Sequence, residues 1–304
     1  MRYSFIVNPT AGKRNAYRTF FPRVRAYMEE RGLPYTCHVT ERPGQATEFA
    51  ALEGGKEGPV RIYGVGGDGT LREVAAGAAG RENVEVGIFP CGSGNDYIKM
   101  FGREEDFLSP AGQIAARPRT VDTARSDAGL AVNCCSVGID AKVSLKAARI
   151  KRVPLLSTPA AYDLALAAVL LGRIGEKLRI TIDGVRTYED VFVIAFAGNG
   201  RWYGGGFCAA PQAELDDGLL DFVLIRKPPF RRLPRLAVLY KEGRHIGAPE
   251  FDGVLTFCRG RKMEIAAGRP VAENIDGDCR YVRSETFSVQ PRVLRFLVPE
   301  GNHL

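Results

Sequence analysis

Three loops in the first hundred residues carry side chains suited to binding phosphate. They are Asn8-Pro9-Thr10-Ala11-Gly12-Lys13, Gly66-Gly67-Asp68-Gly69-Thr70 and Pro90-Cys91-Gly92-Ser93-Gly94-Asn95-Asp96. Glycines leave backbone amides free to donate to an anion, and a helix N-terminus adds positive potential. The second loop also supplies a carboxylate and a hydroxyl for a metal ion or a phosphate. The sequence therefore predicts a phosphate site that contains an acid, although one such loop alone could be a tight turn.

The elements around these loops predict how they come together. Apolar runs typical of strands cover residues 4–7, 35–39, 60–65, 86–89 and 120–124, and helical patterns cover 16–31, 45–52 and 70–79. Alternating strands and helices indicate a parallel, doubly wound, Rossmann-like α/β sheet. In such a sheet the loops gather at the carboxyl edge of the strands, where ligands bind. We therefore expect the three loops to meet there.

The pattern changes from Leu130 onward to mostly short strands and glycine turns. Predicted strands cover residues 177–182, 188–197, 219–225, 254–257, 262–266 and 286–290, with helical runs at 141–151 and 160–171. This pattern predicts an antiparallel, β-rich (β-sandwich) second domain. The expected division is a nucleotide-binding domain over residues 1–125 and a substrate domain over 126–291.

The motifs, taken together and in order, resemble the catalytic domain of the diacylglycerol kinase, sphingosine kinase and bacterial lipid kinase family. The family pattern has Asn-Pro-x-x-Gly, Gly-Gly-Asp-Gly-Thr and Pro-x-Gly-Thr-x-Asn-Asp, and Ser93 replaces the last threonine. Further matches lie at residues 133–140, 204–206, 210–211, 216–219 and 276–278. The resemblance covers about residues 3–297 and implies an NAD kinase-like two-domain fold. It also implies that the end of the chain returns to the first domain. Residues 292–304 would belong to that domain, and residues 293–298 would form its last strand.

The resemblance implies an ATP site on the first domain. The nucleotide-binding residues would be Asn8, Pro9, Thr10, Ala11, Gly12, Lys13, Thr40, Gly66, Gly67, Asp68, Gly69, Thr70, Leu71, Arg72, Ser93, Asn95, Asp96 and Lys99. Asp68 is expected to hold the catalytic Mg²⁺ through water, and Lys99 to meet phosphate oxygens. Helix N-capping is the alternative role for Asp68, Asn95 and Asp96.

The catalytic base is expected in Asp276-Gly277-Asp278, where the family has Asp-Gly-Glu. The family assigns proton acceptance to the glutamate or to the neighbouring aspartate. Asp278 is shorter than glutamate by one methylene, or ~1.5 Å of reach. Either Asp276 is the base with support from Asp278, or Asp278 acts through a shifted loop. Glu273 is a third candidate, and the Asp-Gly pair also predicts a hairpin turn.

An acidic turn at residues 214–219 resembles the structural metal loop of the family. Asp217 would be the side-chain ligand, and Glu214 and Leu219 would contribute main-chain oxygens. Hard oxygen ligands of this kind suit Mg²⁺ or Ca²⁺. The alternative is an Asp-Gly hairpin without a metal.

Composition limits the functional class. The 304 residues carry a formal charge of +7, which suits an anionic membrane or an anionic substrate such as ATP. Nucleic acid is not expected as a partner, because no zinc finger or recognition-helix pattern accompanies the charge. Seven cysteines without Cys-x-x-Cys spacing predict neither a zinc site nor a disulfide framework. No window has the roughly 18 apolar residues of a membrane span, so a cytoplasmic protein is expected.

The basic segment 226–244 alternates cations with apolar residues. It predicts a surface helix that either docks on a membrane or packs its apolar face on its own domain. The helical run 160–171 could line a lipid cavity or be ordinary core. The function expected is ATP-dependent phosphorylation of a lipid hydroxyl with Mg²⁺, diacylglycerol being the leading acceptor, at the inner membrane surface. An NAD kinase-like enzyme, a non-catalytic lipid-binding protein and a homodimer are left open.

Overall fold

The computed structural model describes residues 1–12, 15–150, 164–165, 167–170, 172 and 174–300. Within these ranges, the first part of the chain alternates strands with helices. Its elements are β1 (Arg2–Val7), α1 (Ala16–Thr19), α2 (Phe21–Glu30), β2 (Tyr35–Val39), α3 (Gln45–Gly54), β3 (Val60–Gly66), α4 (Asp68–Ala78), β4 (Val84–Pro90), α5 (Glu104–Phe107) and α6 (Pro110–Ala115).

The strands β2, β1, β3 and β4 are parallel neighbours in that order. Val7 pairs with both Val39 and Val65, and Gly66 pairs with Pro90, so the strands end at one level. This register brings the loops after β1, β3 and β4 to one edge of the sheet, as the sequence predicted.

The predicted helix over 16–31 is two helices, α1 and α2. Phe20 ends α1 and Pro22 lies in the first turn of α2. Proline lacks the backbone N–H that would continue α1, whereas the first turn of a new helix leaves that donor unused. Phe21 then packs on Phe5 of β1, with ring centroids 5.7 Å apart, so the break still leaves α2 seated on the sheet.

The second part consists mostly of antiparallel strands. Its elements are β5 (Arg117–Ser126), β6 (Gly129–Ala131), β7 (Cys134–Gly138), α7 (Ile139–Ile150), β8 (Glu176–Ile182), β9 (Arg186–Gly198), β10 (Trp202–Tyr203), β11 (Phe207–Cys208), β12 (Leu220–Arg226), α8 (Leu233–Lys241), β13 (Leu255–Gly260), β14 (Lys262–Ile275) and β15 (Asp278–Val298). Buried strand residues of β8, β9, β12, β14 and β15 form a core of their own. The α/β fold with a β-rich second part is confirmed.

The strand β15 joins the two parts. It pairs antiparallel with β14 and β5, and Phe296 near its end pairs in parallel with Val86 of β4. The predicted strand 286–290 and the predicted returning strand 293–298 are therefore one element. The predicted strand 120–124 belongs to β5, which runs antiparallel to β15 rather than in the parallel sheet. Among the described residues, thirteen strands thus form a single sheet.

A bulge in β15 is fixed by a buried acid of β5. The register with β5 shifts between Gln290 and Leu294, and Arg292 has a φ of 56°. Asp122 accepts a hydrogen bond from the backbone N of Arg292 at 2.7 Å. This bond satisfies an amide that the bulge removes from the ladder.

The basic segment forms α8, preceded by a 3₁₀ turn at Phe230–Arg232. Leu236, Leu239 and Tyr240 are buried, so the apolar face of α8 packs on its own domain. Phe230 and Val238 remain 66% and 49% exposed. In the described part of the chain, no helix has the length and apolarity needed to cross a bilayer. Of the predicted helical run at 160–171, residues 164–165 and 167–170 are described and are helical, and the others lie outside the described residues.

Candidate active site

The three predicted phosphate loops contact one another through their backbones. A Cβ on Gly92 would lie 2.5 Å from the Cα of Gly67, which is closer than any tolerated contact. A Cβ on Gly12 would likewise collide with the carbonyl oxygen of Cys91, and Gly12 has a φ of 70°. Only glycine allows this approach, so the loops form one surface lined by backbone groups.

Replacing Gly92 by alanine should disrupt this surface. The added methyl group forces the second and third loops apart, because its contact is backbone rather than a flexible side chain. We expect a loss of about 1–3 kcal/mol in the free energy of unfolding and a clear loss of ATP affinity. Chemical denaturation and nucleotide titration measure the two effects. Gly268→Ala is the matched control, since a Cβ there meets no atom within 4 Å and Gly268 lies outside the three loops.

Asn8 links the first loop to the second. Its Nδ2 donates to Oγ1 of Thr70 at 3.2 Å, and its Oδ1 accepts from the backbone N and the hydroxyl of Thr10 at 3.0 and 2.8 Å. Thr40 lies beside this loop, because its backbone N donates to the carbonyl of Val7 at 2.9 Å. Lys13 lies outside the described residues. The predicted nucleotide-binding residues that follow β1, β2 and β3 are therefore neighbours.

Asp68 occupies the first turn of α4, but its side chain does not cap that helix. Its Oδ1 accepts from the backbone N of Tyr97 at 3.2 Å, across to the third loop. Its Oδ2 lies 3.1 Å from where a Cβ on Gly94 would be, and Oδ2 of Asp96 lies 3.5 Å from that point. Burial raises the pKa of Asp68, amides of the third loop oppose this, and Asp96 raises it further. Two carboxylates thus lie beside Gly94, an arrangement that a cation would stabilise.

Asp96 connects the third loop to the second part of the chain. This buried side chain accepts from Nζ of Lys99 at 2.5 Å and from the backbone N of Gly205 at 2.7 Å. Gly205 lies in the turn between β10 and β11. Asn95, with a φ of 48°, turns its side chain back onto Gly92 and Pro90. Asn95 and Asp96 therefore shape the loop, and Lys99 balances the buried charge.

The hairpin between β14 and β15 gives its two aspartates different surroundings. Asp276 accepts from the backbone N of Val132, Asn133 and Cys134 at 2.6, 3.1 and 2.8 Å. Burial raises the pKa of Asp276 to about 6, while these amides and Arg72 oppose the shift. The Asp276 carboxylate is thus committed to holding the hairpin against β7.

Asp278 has the more open position. Its side chain is 74% exposed and forms an ion pair with Arg72 of α4. Arg72 comes four residues after Asp68, so both lie on the same face of α4. The pair therefore brings a carboxylate of the second part to the helix that follows the second phosphate loop.

Glu273, the third candidate base, belongs to another network. It is buried and accepts from Nε of Arg280 at 2.6 Å, and Arg280 also pairs with Glu285 at 2.7 Å. Burial and the neighbouring Glu285 raise the pKa of Glu273 to about 8, against the effect of Arg280. Glu273 lies within β14, which pairs there with β15 and β7, so it is part of the sheet rather than of the hairpin tip.

The predicted metal loop has partners of its own. Asp217 accepts from the backbone N of Leu219 at 2.9 Å and pairs with Arg259 at 3.4 Å, while Glu214 is exposed. Asp122, which sequence analysis missed, accepts from the backbone N of Gly218 at 2.7 Å. The feature that could have indicated Asp122 is an acidic residue inside the predicted strand 120–124. No cluster of three potential metal-ligating His, Cys, Asp or Glu side chains occurs among the described residues, and a metal at this loop stays a prediction.

Comparisons with known proteins match both parts of the chain. Residues 2–126 match the diacylglycerol kinase catalytic domain, and residues 133–298 match the YegS C-terminal NAD kinase beta sandwich-like domain. A Pseudomonas aeruginosa protein named "Probable lipid kinase YegS-like" is 30% identical over 92% of this chain and 89% of its own. A diacylglycerol kinase of Staphylococcus carnosus is 24% identical over 91% of this chain and 88% of its own.

Solved structures show the same fold. A diacylglycerol kinase from Bacillus anthracis superposes with a TM-score of 0.71 at 20% identity, over 99% of this chain and 98% of its own. An NAD kinase from Archaeoglobus fulgidus in complex with ATP superposes with a TM-score of 0.53 at 13% identity, over 99% and 95%. Together with the matched domains, these findings show that the chain belongs to the diacylglycerol kinase and YegS-like family of lipid kinases.

Proposed function

We propose that this protein transfers the γ-phosphoryl group of ATP to the hydroxyl group of a membrane lipid, with diacylglycerol as the leading acceptor. One observation carries the proposal: the ion pair between Arg72 and Asp278. It brings a mostly exposed carboxylate to the helix that opens with Asp68. Phosphoryl transfer needs phosphate-binding loops close to a group that takes the proton of the hydroxyl to be phosphorylated.

The proposed roles follow from the surroundings of each group. Backbone amides of the three loops bind the phosphates of ATP, and Asp68 would hold Mg²⁺. When bound, Mg²⁺ neutralises charge on the phosphates. Asp278 takes the proton of the lipid hydroxyl, because its carboxylate is mostly exposed whereas that of Asp276 is held by three backbone amides. Asp276 positions Asp278 by fixing the hairpin on three amides.

The direct test is transfer of labelled γ-phosphate from ATP to a total lipid extract in the presence of Mg²⁺. We expect a labelled lipid, identified by chromatography, that is lost with Asp68→Ala and with Asp278→Ala. Label on NAD instead would favour a soluble-substrate kinase. ATP binding without transfer to any lipid or to NAD would favour a non-catalytic binding protein.

A membrane-docking face is proposed as part of this function. It consists of exposed residues from the end of β12 to α8: Lys227, Phe230, Arg231, Val238 and Lys241. Segment 226–244 has seven basic residues and one acidic residue, which suits an anionic lipid surface. The hydroxyl of Tyr240 in α8 lies 3.3 Å from that of Tyr203 in β10, and the turn after β10 contacts Asp96. The face is therefore one hairpin away from the third phosphate loop.

Replacing Phe230 and Arg231 together by alanine should weaken membrane binding. A basic residue near an anionic surface contributes about 1 kcal/mol and a buried phenyl group adds about as much or more, so we expect a loss of at least about tenfold. Sedimentation with phosphatidylcholine vesicles, with and without phosphatidylglycerol, measures the loss. Val185→Ala is the control, since Val185 is apolar and 83% exposed at another turn. Equal binding by the double variant and the wild type would contradict the docking face.

A further inference from the structure

The Arg72–Asp278 ion pair joins two groups that have different tasks in the proposed reaction. Arg72 belongs to the helix behind the second phosphate loop, and Asp278 belongs to the hairpin that supplies the base. We propose that Arg72 is a switch between them: it pairs with Asp278 before nucleotide binds and turns to the terminal phosphate afterwards. Binding of ATP then frees the Asp278 carboxylate for the lipid hydroxyl. This inference rests on the proposed function and adds an order to it.

Arg72 has unused hydrogen-bonding capacity at this position. Its side chain is 17% exposed, and its Nε is buried without an acceptor among the described residues. A guanidinium group has five donors in a planar fork that matches phosphate oxygens. A buried donor without a partner costs free energy, which a phosphate oxygen would recover. The guanidinium is therefore incompletely satisfied by Asp278.

The competition between the two anions favours phosphate. Asp278 is 74% exposed, and ion pairs open to water contribute only about 0–1 kcal/mol. Arginine and phosphate form charge-assisted, bidentate hydrogen bonds that are stronger than a single contact to a solvated carboxylate. Asp68 and Arg72 lie four residues apart on one face of α4, so Arg72 can reach the phosphates near the site of Asp68. Exchanging the contact to Asp278 for a contact to phosphate thus costs little free energy and gains more.

The hairpin does not follow Arg72 when the pair separates. Asp276 anchors the hairpin tip through three amides of residues 132–134, and its own backbone N donates to the carbonyl of Cys134 at 3.1 Å. Asp278 therefore keeps its place while the flexible arginine moves. The carboxylate is released from Arg72, and can accept from the lipid hydroxyl with both oxygens, only after the nucleotide has entered.

A double-mutant cycle on ATP binding tests the switch without requiring catalysis. Binding of ATP and of ADP, each with Mg²⁺, is measured by calorimetry for the wild type, Asp278→Ala, Arg72→Ala and the double variant. Asp278→Ala should tighten ATP binding about threefold to fivefold, the range of an exposed ion pair, and ADP binding less. Arg72→Ala should weaken ATP binding. In the Arg72→Ala background, Asp278→Ala should increase ATP affinity by a smaller factor than it does in the wild type. Arg72→Lys should recover part of the affinity.

The alternatives give different results. Removing any negative charge near ATP improves binding, so an equal or larger gain in the Arg72→Ala background would overturn the switch. The switch would also be overturned if Asp278→Ala bound ATP more weakly than the wild type, or if the wild type did not bind ATP. Glu264→Ala, which breaks the Lys262 pair at 2.7 Å, is the control and should leave binding unchanged. An intact coupling without labelled lipid would contradict only the proposed function; labelled lipid without coupling would contradict only the switch.

Discussion

Replacing Asp68 by asparagine should lower phosphoryl transfer by about 10²–10³-fold while the protein stays folded. Asparagine keeps the oxygen that accepts from the backbone N of Tyr97 at 3.2 Å, but it loses the negative charge beside Gly94. Loss of one group that stabilises charge in the transition state has an effect of this size. Initial rates with labelled ATP measure the loss, and thermal unfolding checks the fold.

Asp252→Asn is the matched control, because this carboxylate is exposed outside the three loops. It should leave the rate and the melting temperature unchanged. If Asp68→Asn transferred phosphate at nearly the wild-type rate, Asp68 would not be the metal-binding acid. If it lost activity only through unfolding, its role would be the link between the second and third loops.

Asp276→Asn and Asp278→Asn should affect different properties. Asp278→Asn should lower kcat by about 10²–10⁴-fold, the range for loss of a general base, with little change in melting temperature. Asp276→Asn should destabilise the protein by about 1–3 kcal/mol, since the amide group turns a donor toward backbone N–H groups that both carboxylate oxygens now accept from. Steady-state kinetics and thermal unfolding of both variants measure the contrast.

Asp278→Glu provides the conservative control, because it keeps the carboxylate and restores the length found in the family pattern. It should retain most of the transfer rate. The assignment would be reversed if Asp276→Asn lost transfer at an unchanged melting temperature and Asp278→Asn remained active. In that case the hairpin would need another anchor.

Local patterns predicted the elements that position the site. The run over residues 35–39 is β2 to the residue, and the turns after β1, β3 and β4 lie at one edge because parallel strands end at one level. Glycine at positions 12, 67 and 92 indicated backbone contact with phosphate. The closeness of these loops to one another follows from the register and could be inferred from the strand pattern.

Contacts between distant segments could not be predicted in this way. Arg72 and Asp278 are 206 residues apart, so no spacing rule relates them. The roles of Asp276 and Asp278 were ambiguous for the same reason, since the amides that hold Asp276 come from residues 132–134. For β15, the sequence pattern predicted only a strand at 286–290, and the resemblance supplied a separate one at 293–298. Pro291 lies between the two, where a proline normally ends a central strand. The bulge beside Asp122 accommodates it.

The strand β15 also determines how the chain can be divided. It begins at the base candidate, crosses the second part and ends beside β4, so residues near the C-terminus complete the sheet of the N-terminal part. A fragment cut near residue 126 would expose the edge of β4 and leave β5 without its partner, and unpaired edges promote aggregation. The sequence boundary between the two matched domains is therefore not a boundary between separately folding units. Both matched domains have to be expressed on one chain for β15 to pair with β4 and β5.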